Sequence, residues 1–107
     1  MKAVTFLGCG SWGGALGKLL SEKGIGVIMW HRKAEVVNHL INTQNHYLIP
    51  ELFFPSNVNF TNDVSSAIKS SEIIVLALPS QSIRNVITKN KSSFNKNHII
   101  VNISKGI

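Results

Sequence analysis

The sequence predicts an α/β protein built on a doubly wound parallel sheet, and three observations predict it. Short apolar runs alternate with segments of helical periodicity along the chain. A cluster of glycines, FLGCGSWGGAL, lies between the first apolar run and the first helical segment. The run IIVLAL (Ile73 to Leu78) carries no polar alternation, as expected of a parallel strand covered on both faces.

The elements follow in order. Lys2 to Leu7 (KAVTFL) reads as a short buried strand that runs into a glycine turn. Trp12, Ala15, Leu16, Leu19 and Leu20 then fall at i, i+3, i+4, i+7 and i+8, predicting a helix from about Ser11 to Lys23 that buries this stripe and stops at Gly24. Gly26 to Trp30 reads as a second strand, and Val36, Val37, Leu40 and Ile41 mark a second helix over Ala34 to Asn42. The stretch TQNHYLIPELFFPSNV is too rich in prolines and turn formers for a long element.

Asn62 is a good N-cap for a short helix that buries Val64, Ala67 and Ile68. After the strand at Ile73, Ser80 can cap a helix facing inward through Ile83, Val86 and Ile87, and His98 to Ser104 reads as a further buried strand. A doubly wound sheet is incomplete at that point, so the 107 residues are expected to form the N-terminal portion of a longer protein.

Composition bounds the function classes. With 44% hydrophobic and 15% charged residues the chain has enough apolar content for a packed core. One cysteine, Cys9, cannot form an internal disulfide, which fits a reducing, cytoplasmic setting. No apolar stretch reaches the length of a membrane span, so no membrane insertion is expected. The net charge of +6 raises nucleic acid as a partner, but the densest basic stretch, TKNKSSFNKNH, lacks interleaved aromatics and reads as a solvated loop. No nucleic acid is expected.

The glycines carry the chemistry. Gly8, Gly10 and Gly13 form a G-x-G-x-x-G pattern with a strand before it and a helix after it, the context that makes this otherwise weak motif informative. In a Rossmann-type unit the first glycine permits the tight turn, the second lets a pyrophosphate approach the backbone, and the third lets helix and strand pack closely. The helix N-terminus then offers free N–H groups to the phosphates. The competing reading is a tight turn without a ligand.

A site for NAD normally carries an acid at the end of the second strand, bonded to the ribose hydroxyl. Here that strand ends in His31, Arg32 and Lys33, with no acid before Glu35. Arg32 and Lys33 suit a 2′-phosphate, so NADPH is favoured over NADH.

Four segments, FLGCGSWGGAL, VIMWHRK, IIVLALPSQSIR and VNISKGI, together resemble the bacterial NAD(P)H-dependent sn-glycerol-3-phosphate dehydrogenases over essentially the whole chain. The resemblance implies reversible hydride transfer between a nicotinamide and dihydroxyacetone phosphate, supplying sn-glycerol 3-phosphate for glycerophospholipid synthesis. It implies that Ser11 and Trp12 of the glycine turn contact the cofactor together with Arg32 and Lys33, and that Lys105 of the S-K-G motif touches both cofactor and substrate. The family's general-acid lysine belongs to a later helical substrate domain, beyond residue 107, so no catalytic residue is assigned within the chain and the 107 residues alone are expected to be inactive. A homodimer is left open for the longer enzyme. The chain departs from the family twice: Gly14 stands where threonine is usual, and NHYLIPELFFP carries one residue more than the usual Tyr-Leu-Pro loop, leaving the role of Tyr47 to Pro55 open.

The remaining chemical side chains read more plainly. Cys9 has no evident base beside it and is not expected to act as a nucleophile. His31, His39, His46 and His98 show no metal-ligand spacing, so no metal is expected. Arg84 is left open between the cofactor crevice and solvent, and Trp12 between cofactor contact and core stripe. A module that binds or senses NADP(H) without chemistry is the alternative to a dehydrogenase.

Overall fold

The computed structural model describes residues 3–104. Five strands, β1 (Val4–Leu7), β2 (Val27–Trp30), β3 (Val58–Thr61), β4 (Ile73–Leu76) and β5 (Ile99–Asn102), form one sheet in the order β3-β2-β1-β4-β5. All four pairings are parallel. The connections carry helices α1 (Ser11–Glu22), α2 (Ala34–Thr43), α3 (Val64–Lys69) and α4 (Ser80–Lys89). This is the predicted doubly wound architecture. In register, Leu7 pairs with Trp30 on one side and Leu76 on the other, so β1, β2 and β4 end at one level and their following loops emerge side by side.

Alternate residues feed two cores. Phe6, Val27, Met29, Val58 and Val75 pack with Leu40, Leu52 and Phe54 on the α1/α2 face, while Leu7, Trp30, Ile74 and Leu76 pack with Ala67 and Ile68 of α3 on the other. Thr5, fully buried in β1, is satisfied by its hydroxyl donating to Ala67 O at 2.9 Å and lying 2.8 Å from Ser71 Oγ. That polar tie fastens β1 to the end of α3.

The structure corrects several expectations. The face of α1 turned to the sheet carries Gly13, Gly17 and Ser21, with Leu16 and Leu20 half-buried at its flank; Trp12 and Leu19 are 65% and 50% exposed. The reason is distance: a Cβ at Gly13 would lie 2.9 Å from Ala77 Cβ, and one at Gly17 2.8 Å from Met29 Cε, so the helix rests on its glycines and turns the large residues outward. The strand β3 went unpredicted because its four residues follow a proline-rich loop and only Val58 is buried. α3 is capped by Asp63 rather than Asn62, the Asp63 carboxylate accepting from Ser66 N at 3.1 Å. Pro79, not Ser80, holds the cap position of α4, its carbonyl accepting from Ser82 and Ile83 N. The inward side chains of α4 are half-buried. Finally, β5 is exposed along its whole length: β3 at the other edge is packed by α1 and α2, whereas no helix of the described residues packs comparably over β5.

Candidate functional site

The strand order reverses between β1 and β4, and such a switch point opens a crevice at the carboxyl ends of the strands. The chain builds that crevice from three loops. After β1, Gly8 takes φ +116 and donates its N–H to Trp30 O at 3.0 Å, and a Cβ there would stand 2.6 Å from Ala77 O. No residue but glycine fits this turn without strain. Gly10 occupies the cap position of α1 with no side-chain cap, and a Cβ there would meet nothing within 4 Å. The amides of the first turn of α1 therefore stand behind an open approach, a ready anion site.

Gly8, Cys9 and Gly10 line a cleft of about 530 Å³. Its second wall is the end of β2: Trp30, whose indole Nε1 is buried without a hydrogen-bond partner among the described residues, followed by His31 and Arg32. The third wall is Ala77 to Pro79 after β4, extended by Ser82, Asn85 and Lys89 on one face of α4. Another hollow of about 310 Å³ lies at the opposite, amino ends of the strands, between Ala3, Glu72 and His98. It touches none of the glycine turn.

Electrostatically the cleft is positive and lacks an acid. Arg32 is exposed and borders the cleft; Lys33, also exposed, holds the cap position of α2 and does not line it. Lys33 N donates to His31 Nδ1 at 3.0 Å, and burial first, then the charges of Arg32 and Lys33, holds the His31 imidazole below its ordinary pKa. Burial pushes the Cys9 thiol up to about 12; its sulfur lies 3.6 Å from Met29 Sδ, inside the core, so the residue offers the cleft its backbone and not a nucleophile.

A fourth segment enters the site. The loop after α2 folds back through an antiparallel bridge between Asn45 and Phe53, tightened by Asn45 Nδ2 donating to Pro50 O and Leu52 O at 2.9 Å each. It brings Tyr47 to the cleft, stacked on His46 at 4.8 Å and edge-on to His31 at 5.2 Å. Burial, and secondly the neighbouring Cys9, raise the Tyr47 phenol above its ordinary pKa. The ring of His46 fills the space beside Gly14, where a Cβ would fall 2.5 Å from His46 Cδ2. A side chain at this position would have to displace that ring.

Gly8, Gly10 and Arg32 line one cleft. Ser11, Trp12 and Gly13 follow in the first turn of α1 but do not line the cleft, and Arg84 is exposed away from it. Lys105 lies outside the described residues. Sequence reasoning leaves the role of Tyr47 open and misses the polar face of α4, although Ser82, Asn85 and Lys89 at i, i+3 and i+7 are a readable signal. No group of three or more His, Cys, Asp or Glu among the described residues could hold a metal, and no described helix is long and apolar enough to cross a membrane.

A sequence model of the family described as "NAD-dependent glycerol-3-phosphate dehydrogenase N-terminus" matches residues 3–107. The chain belongs to this family. It is 42% identical over 108 residues to glycerol-3-phosphate dehydrogenase (NAD(P)+) of Clostridium perfringens strain 13, and 38% identical over 109 residues to that of Lysinibacillus sphaericus strain C3-41. Both alignments cover 100% of this chain, against 33% and 32% of the relatives. The chain therefore spans about a third of the length of the family members it matches. The crystal structure of glycerol-3-phosphate dehydrogenase from Coxiella burnetii superposes with a TM-score of 0.93 at 26% identity, over 99% of this chain and 33% of that one. The chain is a family member's N-terminal, dinucleotide-binding part, and NAD(P) is the family's cofactor.

Proposed function

We propose that this chain supplies the cofactor-binding part of an NAD(P)H-dependent enzyme that reduces dihydroxyacetone phosphate to sn-glycerol 3-phosphate. The observation that carries this reading is the glycine turn at the switch point, with Gly10 open to the cleft and the uncapped start of α1 behind it. A dinucleotide fits these residues: Gly8 and Gly10 leave room for the diphosphate, and the first-turn amides of α1 donate to it. Arg32 borders the adenosine end of the crevice without a competing carboxylate, which favours a 2′-phosphate there. When bound, the reduced cofactor supplies hydride to a carbonyl carbon.

The chain's own part is to bind, orient and neutralise charge. Ser104, whose hydroxyl donates to Leu76 O at 3.1 Å, holds the chain over the end of β4 just ahead of Lys105. The resemblance suggests that Lys105, outside the described residues, supplies a cation to the substrate's phosphate or carbonyl oxygen, the charge stabilisation such a reaction needs. The product of such a reaction is the backbone of glycerophospholipids, consistent with a cytoplasmic role. The substrate assignment rests on the names of the relatives and on similarity to them across the whole of this chain.

The test is twofold. The full-length protein carrying this segment should oxidise NADPH only when dihydroxyacetone phosphate is added, and titration should give tighter binding of NADPH than of NADH. Oxidation with unphosphorylated dihydroxyacetone at an equal rate would reject the substrate class, and failure to bind either cofactor would reject the reading altogether.

A further inference from the structure

We infer that His46 is a positioning residue for the cofactor's diphosphate, acting from behind the glycine turn; this rests on the dinucleotide reading above. His46 is 1% exposed, lies outside the cleft, and is committed on both ring nitrogens. Its Nδ1 accepts from Leu48 N at 3.0 Å and from Ile49 N at 3.2 Å. A nitrogen that accepts two N–H bonds carries no proton, so in the neutral ring the proton sits on Nε2. That Nε2–H donates to Cys9 O at 3.0 Å and to Gly10 O at 3.1 Å, in a forked bond.

The two carbonyls belong to the residues whose backbone lines the cleft. Carbonyl oxygens turned toward a diphosphate would repel it, whereas amides attract it. Holding both carbonyls on the core side fixes the peptide planes that follow, Cys9–Gly10 and Gly10–Ser11, with their N–H groups free for the ligand. Gly10 O also accepts from Gly14 N at 2.8 Å as the first bond of α1, so His46 braces the helix start and the turn together.

Gly14 is the seat that allows this. A Cβ at that position would lie 2.5 Å from His46 Cδ2 and 2.6 Å from Nε2, inside the distance at which the ring must move. The loop from Asn45 to Phe54 is therefore more than a connection: its inner residue sets the phosphate turn, and its outer residue Tyr47, stacked on that ring, meets the cleft. The glycine turn has no side chain of its own to hold its peptide planes, and the buried imidazole provides that hold from another part of the chain.

Two substitutions separate the bonds of the ring. An asparagine places its amide oxygen near Nδ1, keeping the acceptor for Leu48 and Ile49 while losing the reach to the turn. A glutamine places its amide nitrogen near Nε2, keeping the donor to Cys9 and Gly10 while losing the acceptor. In the full-length protein, His46→Asn should bind NADPH roughly three- to tenfold more weakly while melting closer to the wild type. His46→Gln should melt lower yet bind NADPH within about twofold of the wild type. Gly14→Ala approaches the same contact from the helix and should repeat the affinity loss of His46→Asn. Adenosine 2′-monophosphate, which has no 5′-phosphate to meet the turn, should bind all three variants like the wild type. Affinities that simply follow melting temperature, or a His46→Asn variant that binds NADPH as tightly as the wild type, would overturn the inference. A wild-type protein that binds no NADPH would instead overturn the reading beneath it.

Discussion

Gly8 and Gly10 stand two residues apart, yet replacing each by alanine should give opposite phenotypes. At Gly8 the backbone has φ +116, and an added methyl would stand 2.6 Å from the main-chain oxygen of Ala77. Strain of this kind is worth roughly 1–3 kcal/mol before any clash is counted. The colliding atom is backbone in a loop fixed at both ends, by Ala77 N donating to Leu7 O and Gly8 N donating to Trp30 O, so neither side yields cheaply. Gly8→Ala should thus remove a large part of a total stability on the order of 5–15 kcal/mol.

Gly10 has φ −72 and ψ −170, open to any residue, and its new methyl would meet no protein atom within 4 Å. Two small effects oppose each other there: reduced freedom of the unfolded chain stabilises, and alanine's poorer capping destabilises, each by about 0.5–1 kcal/mol. Melting should barely move. The methyl instead projects where the diphosphate approaches, displacing it from one or two first-turn amides worth roughly 1.5–3 kcal/mol each to an anion. NADPH affinity should fall about 10- to 100-fold or more. Thermal denaturation with and without NADPH, together with a fluorescence titration, reads both effects. A Gly10→Ala variant that melts and binds like the wild type would show that the phosphates do not pass over this turn.

The other expectations are narrower. Arg32→Ala should weaken NADPH about 5- to 30-fold and NADH less than twofold, with the smaller figure at high salt because Arg32 is exposed; Lys33→Ala should change either by less than about threefold, and equal losses for both cofactors would remove the 2′-phosphate assignment. The Cys9 thiol, pushed up to about 12 from 9.0 in the folded chain, ionises first in the unfolded state, so stability should decline as pH rises from 9 toward 12, by about 1.4 kcal/mol at pH 10. Denaturant melts of the wild type and Cys9→Ala across that range check it, since the variant should lack this part of the slope. Asp63→Ala should cost about 1 kcal/mol by uncapping α3, lowering the melting temperature by several degrees.

Much of the site was legible in the sequence because its chemistry is backbone chemistry. Glycines at positions 8, 10 and 13 between a strand and a helix define a turn whatever surrounds them, and the missing acid after Trp30 is read without coordinates. The errors have a common cause in what periodicity leaves out. The stripe of Trp12, Ala15 and Leu19 has helical spacing but faces outward, since glycines at 13 and 17 let the backbone itself approach the sheet. Hydrophobicity alone placed the large side chains inside; close packing of a glycine face placed them outside. Ile99 to Val101 likewise read as buried because they are apolar, whereas burial depends on a neighbouring layer that a single strand does not disclose. His46 gave no local signal, as its partners Cys9 and Gly10 lie 37 and 36 residues away and are main-chain carbonyls.

The common level at which β1, β2 and β4 end has an evolutionary consequence. Leu7, Trp30 and Leu76 lie abreast, so the loops that follow them open side by side on the crevice, the turn after β1 tied to Trp30 O and the loop after β4 to Leu7 O. Residues 31 to 33 emerge from β2 without contributing to the turn after β1, which is braced by the loop from Asn45 instead. Under the proposed 2′-phosphate reading, a change of cofactor preference would begin at exposed Arg32, outside both cores, whereas His31, edge-on to Tyr47, is tied to the loop that braces the turn. Cofactor preference would then be open to change at the surface of the crevice while the phosphate turn is kept.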